Sequence, residues 1–154
     1  MNEMPNSDEL PRRKEMNHVP PPWIRPGHLF FLTVGCQPRG PNVLCRPEIA
    51  PRLLDAARLY HDRRKWFLEL FLLMPDHWHA LVAFADERAI VATVRNWKRY
   101  TSRMFGVCWQ RDFFEHRLRN EEEESRKWYY IMANPARKGL IAKGKKWPWV
   151  IQGK

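Results

Sequence analysis

The sequence predicts an α+β domain in which a split βαβ antiparallel sheet is followed by a helix. Three observations carry this. Short apolar runs of strand length alternate with segments of helical periodicity in the order β-α-β-β-α-β. A Met-Pro-Asp turn joins two of those runs into a hairpin. A capping signal opens one more helix after the last run.

The elements follow in order. HLFFLTV, residues 28–34, is short and apolar, with the turn-former Gly27 before it and Gly35 after it. From residue 47 to about 63, Ile49, Leu53, Ala56 and Tyr60 recur at helical spacing with charges between them. WFLELFLL, residues 66–73, is a strand by length and content. Met74, Pro75 and Asp76 turn the chain, and residues 77–84 run back beside it. Residues 87–105 form a longer helix: Ile90, Val94, Trp97, Thr101 and Met104 make its apolar face, and Gly106 stops it. A weaker strand falls near residues 113–118. Asn120 then caps a helix and Glu123 completes a capping box; the helix is expected to end near Asn134, because Pro135 disfavours continuation. This is the order of a ferredoxin-like sheet whose two helices cover one face, leaving the other for a ligand or for the last helix.

The 154 residues suffice for one core. Residues 23–147 are expected to form it, after a flexible, basic and proline-rich arm at 1–22 and before a short tail at 148–154. Lys and Arg number 27 against 17 Asp and Glu, a formal charge of +10. On a domain this small the surplus points to a polyanionic partner such as nucleic acid; a plain soluble basic protein is the alternative. No apolar run is long enough to span a bilayer, and the polar start has no signal-peptide core. Cys36, Cys45 and Cys108 have neither an even count nor metal-ligand spacing, so reduced thiols in a cytoplasm are expected.

The chemistry gathers in two places. In MPDHWHALV, strand alternation puts His77 and His79 on one side, about 6–7 Å apart along the backbone, with Trp78 on the other. Two neutral imidazoles so placed can share a divalent ion. Alone, the pair reads more readily as a surface feature of a hairpin. On the last helix Trp128, Ile131 and Met132 form the apolar stripe, whereas Tyr130 falls on nearly the opposite side with Asn134 one turn further on. Tyr130 is then either an exposed amphipathic residue or a nucleophile. A phenolate can attack phosphorus and, with a pKa near 10, can later be displaced by a DNA hydroxyl. With the His pair nearby, Asn134 is a candidate third, oxygen ligand, which suits Mg²⁺ or Mn²⁺.

Those residues carry a resemblance. MPDHWHALV resembles the HUH motif of single-tyrosine transposases. YIMANPARKGL, residues 130–140, is similar to that group's Tyr-Ile, Asn-Pro and Gly-Leu signature, and WQRDFFEHRLRN to the linking segment of REP-associated tyrosine transposases. HLFFLTV matches their opening strand. The resemblance covers roughly residues 23 to 147. It implies a metal-dependent nuclease and strand-transferase acting on hairpins in single-stranded DNA through a 5′-phosphotyrosine. Carried over by position, it makes Tyr130 the nucleophile and His77, His79 and Asn134 the metal ligands. Asp76 departs from the family's common asparagine, and Lys138 from a small residue.

Arg95, Lys98, Arg99 and Arg103 share one helix and are expected to track a phosphate backbone, unless they are an ordinary solvated face. Trp23, Trp109, Trp147 and Trp149, mixed with Lys143, Lys145 and Lys146, suggest a stacking platform; core tryptophan is the alternative. Arg12, Arg13 and Lys14 add charge to the arm. Two other functions compete: a non-catalytic ferredoxin-like nucleic-acid-binding module, and a zinc hydrolase with His116 as a distant extra ligand.

Overall fold

The computed structural model describes residues 27–153. The expected arm at 1–22 and Trp23 lie outside them. β1 (Phe30–Gln37) leads into α1 (Ala50–Asp62), then β2 (Phe67–Met74) and β3 (His77–Ala83) form the hairpin. A 3-10 turn opens α2 (Ile90–Phe105), and β4 (Cys108–Trp109), β5 (Phe114–Arg117), α3 (Glu121–Arg137) and β6 (Val150–Gln152) follow.

The strands lie in the order β4-β1-β3-β2-β6, with β5 also on β1, and every pairing is antiparallel. The fold is therefore the expected α+β arrangement, with β3 between β1 and β2 as the split βαβ unit requires. Alternation divides the sheet's side chains between two cores. On one face Leu32, Val34, Phe71, Trp78 and Ala80 pack against α1 and α2. Trp66, Phe71, Trp78 and Trp97 form a knot of rings there, Phe71 and Trp78 only 4.7 Å apart between centroids. On the other face Phe31, Leu70, Leu72 and Leu81 meet Ile131 of α3, so the last helix covers the face that the first two leave open.

Several boundaries differ from expectation. β1 runs through Gly35, which pairs with His77, and continues to Gln37. A Cβ at Gly35 would stand 2.8 Å from the Gln110 side chain and 3.2 Å from that of Arg39, so a small residue there serves close approach and not chain reversal. α3 does not stop at Asn134 but passes through Pro135 to Arg137. Proline forfeits its own N–H bond and crowds the carbonyl four residues back, but Asn134 and Pro135 are buried, and the carbonyls of Asn134, Pro135 and Ala136 take the N–H groups of Lys138, Leu140 and Gly139. Met104, expected on the apolar face of α2, is 56% exposed.

The expected tail at 148–154 contains β6, which extends the sheet at the edge of β2. Trp147 donates its indole N–H to the Leu73 carbonyl at 2.8 Å, and Leu73 N–H donates to the Trp149 carbonyl at 2.9 Å. Both tryptophans are partly buried, and Trp109 donates to Thr101 Oγ1 while packing on Trp97. All three pack against the core, as the alternative to a stacking platform requires. Cys36, Cys45 and Cys108 are unbridged. No helix among the described residues is long and apolar enough to cross a membrane.

Candidate active site

β3 delivers the histidines. His77 and His79 project from the face shared with Leu81 and Ala83, and Trp78 between them enters the opposite core. Their Nε2 atoms stand 3.2 Å apart. Each Nδ1 has a partner: Asp76 Oδ1 at 2.8 Å for His77 and Thr33 Oγ1 at 2.9 Å for His79. A neutral ring that donates its Nδ1–H presents the Nε2 lone pair outward, and outer partners of this kind orient metal-binding imidazoles. Two nitrogens 3.2 Å apart suit two bonds of about 2.1 Å to one ion at an angle of about 100°.

Burial disfavours the charged form of both rings. Burial lowers the His77 pKa from its ordinary 6.5, against the pull of Asp76. Burial, then the His77 and Lys127 charges, push His79 down to about 3. Burial alone would raise the Asp76 pKa; hydrogen bonds from His77, Arg39 and the Gly40 N–H together outweigh it and hold the carboxyl well below the usual range.

α3 brings the tyrosine to the same place. The Tyr130 ring lies 6.2 Å from the His79 ring and 6.3 Å from Phe31, centroid to centroid, within one chain. Two cations face it, Arg137 with its guanidinium carbon 4.6 Å and Lys127 with Nζ 5.2 Å from the ring centroid. Arg137 also donates at 3.3 Å to the Tyr130 carbonyl and at 3.3 Å to Asn134 Oδ1.

Residues 39–132, more than half of the chain, match the model of the IS200-like transposase family. The chain belongs to that family. Among solved structures, this IS200-like transposase is similar to a REP-associated tyrosine transposase bound to a REP hairpin, at TM-score 0.71 and 23% identity over 88% of this chain and 82% of the other. A putative transposase from Deinococcus radiodurans R1 matches at TM-score 0.50 and 18% identity, covering 77% of this chain and 95% of that one. Both likenesses are of fold. No curated protein matches the sequence.

Within the transposase, the expected site residues fall as follows. His77, His79 and Tyr130 come together. Asn134 keeps its place one turn beyond Tyr130 but is only 3% exposed, so it does not lie off the core face. At about 100° per residue it falls between Tyr130 and the buried Ile131, and it therefore turns toward the sheet. Of the basic residues on α2, Arg95, Arg99 and Arg103 are exposed, on the helix that packs against the sheet face opposite the histidines. The Lys98 ammonium donates to the Gln110 and Arg111 carbonyls, each at 2.9 Å, and ties that loop to α2. His116 engages Glu123 of α3 at 3.3 Å, and among the described residues no third His, Cys, Asp or Glu completes a metal cluster with the pair. Sequence reasoning missed Lys127 and Arg137. Their spacing of three before and seven after Tyr130 is the signal, since both offsets return to one helix face.

Proposed function

We propose that this transposase is a metal-dependent single-stranded DNA endonuclease and strand-transferase that acts on hairpin or palindromic DNA through a 5′-phosphotyrosine at Tyr130. The observation that carries the reading is Tyr130 beside the His77–His79 pair in one chain, its ring 6.2 Å from His79. The resemblance to a transposase bound to a REP hairpin supports the choice of DNA.

In this reading Tyr130 Oη attacks the phosphorus of a phosphodiester. The phenolic proton passes to solvent, the bond from phosphorus to the 3′ oxygen breaks, and that oxygen leaves as a hydroxyl after taking up a proton. The 5′ phosphate stays on the tyrosine until another 3′ hydroxyl displaces it. Mg²⁺ or Mn²⁺ bound by His77, His79 and Asn134 would supply charge withdrawal from the phosphate and fix its orientation. Asp76, an acceptor only, holds His77 in the tautomer that binding needs, and Thr33 orients the His79 ring. Lys127 and Arg137 place positive charge beside the attacking ring, where it would meet the phosphate oxygens. Arg137 also holds the Asn134 amide oxygen, so Asn134 must exchange that bond to serve as a ligand.

The test is incubation of the protein with Mn²⁺ and labelled single strands bearing hairpins. A covalent protein–DNA adduct should form, vanish with chelator and be absent from Tyr130→Phe. An adduct that survives Tyr130→Phe sinks the assignment. Salt-sensitive binding that ignores chelator, with no adduct or cleavage from the unsubstituted protein, would instead favour a non-catalytic nucleic-acid-binding module.

A further inference from the structure

We propose that Phe114 is a base-stacking platform at the rim of this site, and that it takes an unpaired DNA base next to the phosphate facing Tyr130. The proposal rests on the reading of the site as one that handles single-stranded DNA.

An exposed phenylalanine is ordinary by itself. Here the distribution is unusual: among the described residues, Phe114 at 55% and Tyr130 at 46% are the two exposed side chains of the Phe, Tyr and Trp type. Both stand over the same patch of sheet. Phe114 pairs with Thr33, and Thr33 pairs with His79, so the three form one row across β5, β1 and β3. Residues in such a row share a face, and Thr33 proves which face by its bond to His79 Nδ1. At about 4.8 Å per strand, Phe114 lies about 10 Å from His79.

Phe31 fills the interval. Its ring stacks on His79 at 5.3 Å and meets Phe114 at 5.9 Å and Tyr130 at 6.3 Å, the latter two edge-on. Lys127 Nζ sits 4.5 Å over Phe31 and 5.2 Å over Tyr130. An exposed ring, a cation and the candidate nucleophile therefore follow one another along a single face. An unpaired nucleotide offers the matching sequence, a π-face and then a phosphate, and the net charge of +10 favours its approach. Stacking of this kind accepts any base, because each has a π-face. Phe114 would therefore add affinity and fix the strand's position without choosing sequence.

The experiment uses the full chain carrying Tyr130→Phe, so that binding is read without cleavage. Hairpin-bearing single strands carry 2-aminopurine at each unpaired position in turn. One position should quench on binding. Phe114→Ala should abolish that quench and weaken binding roughly 5- to 150-fold, the range for loss of one stacked base, while Phe114→Trp retains both. An abasic nucleotide at that position should weaken the protein with Phe114 intact but leave Phe114→Ala unaffected. Unchanged quenching in Phe114→Ala, or an abasic penalty of equal size in both proteins, overturns the proposal. Adduct formation by the chain with Tyr130 intact is scored separately. Stacking without an adduct would defeat the cleavage reading alone, and an adduct without stacking would defeat this one alone.

Discussion

The Asp76 carboxylate takes three donors: the His77 ring at 2.8 Å, Arg39 Nε at 3.0 Å and the Gly40 N–H at 2.7 Å. One residue thus orients a candidate ligand and ties the segment after β1 to the hairpin turn. Asp76→Ala is expected to weaken Mn²⁺ binding about 10- to 100-fold, as losses of such outer partners do, and Asp76→Asn less, since it keeps an acceptor. Titration of Mn²⁺ followed by electron paramagnetic resonance checks both. Unchanged affinity in Asp76→Ala would remove Asp76 from the site. Lys98 makes the opposite case, a charge whose work is internal. Lys98→Met should cost about 1.5–3 kcal/mol in denaturant unfolding, by loss of charged hydrogen bonds to the Gln110 and Arg111 carbonyls. It should leave the salt dependence of DNA binding unchanged. Arg95→Ala should do the reverse, lowering the slope of log affinity on log salt by about one if Arg95 meets a phosphate.

α3 shows what makes an element legible. Its start could be read from sequence because the signal is local: Asn120 Oδ1 accepts from the Glu123 N–H at 2.8 Å. Glu123 Oε1 in turn accepts from the Arg119 N–H at 2.7 Å, one residue outside the usual capping box. Asn120→Ala is expected to cost about 1 kcal/mol, measured by thermal or urea unfolding. No loss of stability would mean that sheet contacts alone hold the helix. Its end was misread because the outcome at Pro135 depends on burial against the sheet, which no local rule contains. The same contrast runs through the site. The side shared by His77 and His79 follows from strand parity, and Tyr130 with Asn134 from helical spacing. That Phe114 faces them depends on the register of β5 on β1, a pairing of distant residues that the sequence does not display.

Across the whole molecule the two faces of the sheet are specialised. α1 and α2 bury one against the ring cluster, and α3 lies over the other with the histidines beneath its C-terminal half. Six strands were not all expected, since β4 and β6 are short and β6 holds only Val150–Gln152, too little to carry a periodic signal. Because the Tyr130 ring and the His pair meet inside one chain, mixing Tyr130→Phe with His79→Ala should restore no adduct formation. Recovery in the mixture would show that the helix is exchanged between copies.

Trp78 sits between the two histidines in sequence, and its ring is fully buried among Trp66, Phe71 and Trp97. Its backbone is shared with the candidate ligands while its indole is buried among other rings. The chain thus contains its own optical reporter. Any strain that binding at Nε2 of His77 or His79 puts on β3 reaches an excited-state dipole within one residue. The emission of the unlabelled protein should register occupancy of the site, and Trp78→Phe should silence that signal while leaving the occupancy itself unchanged.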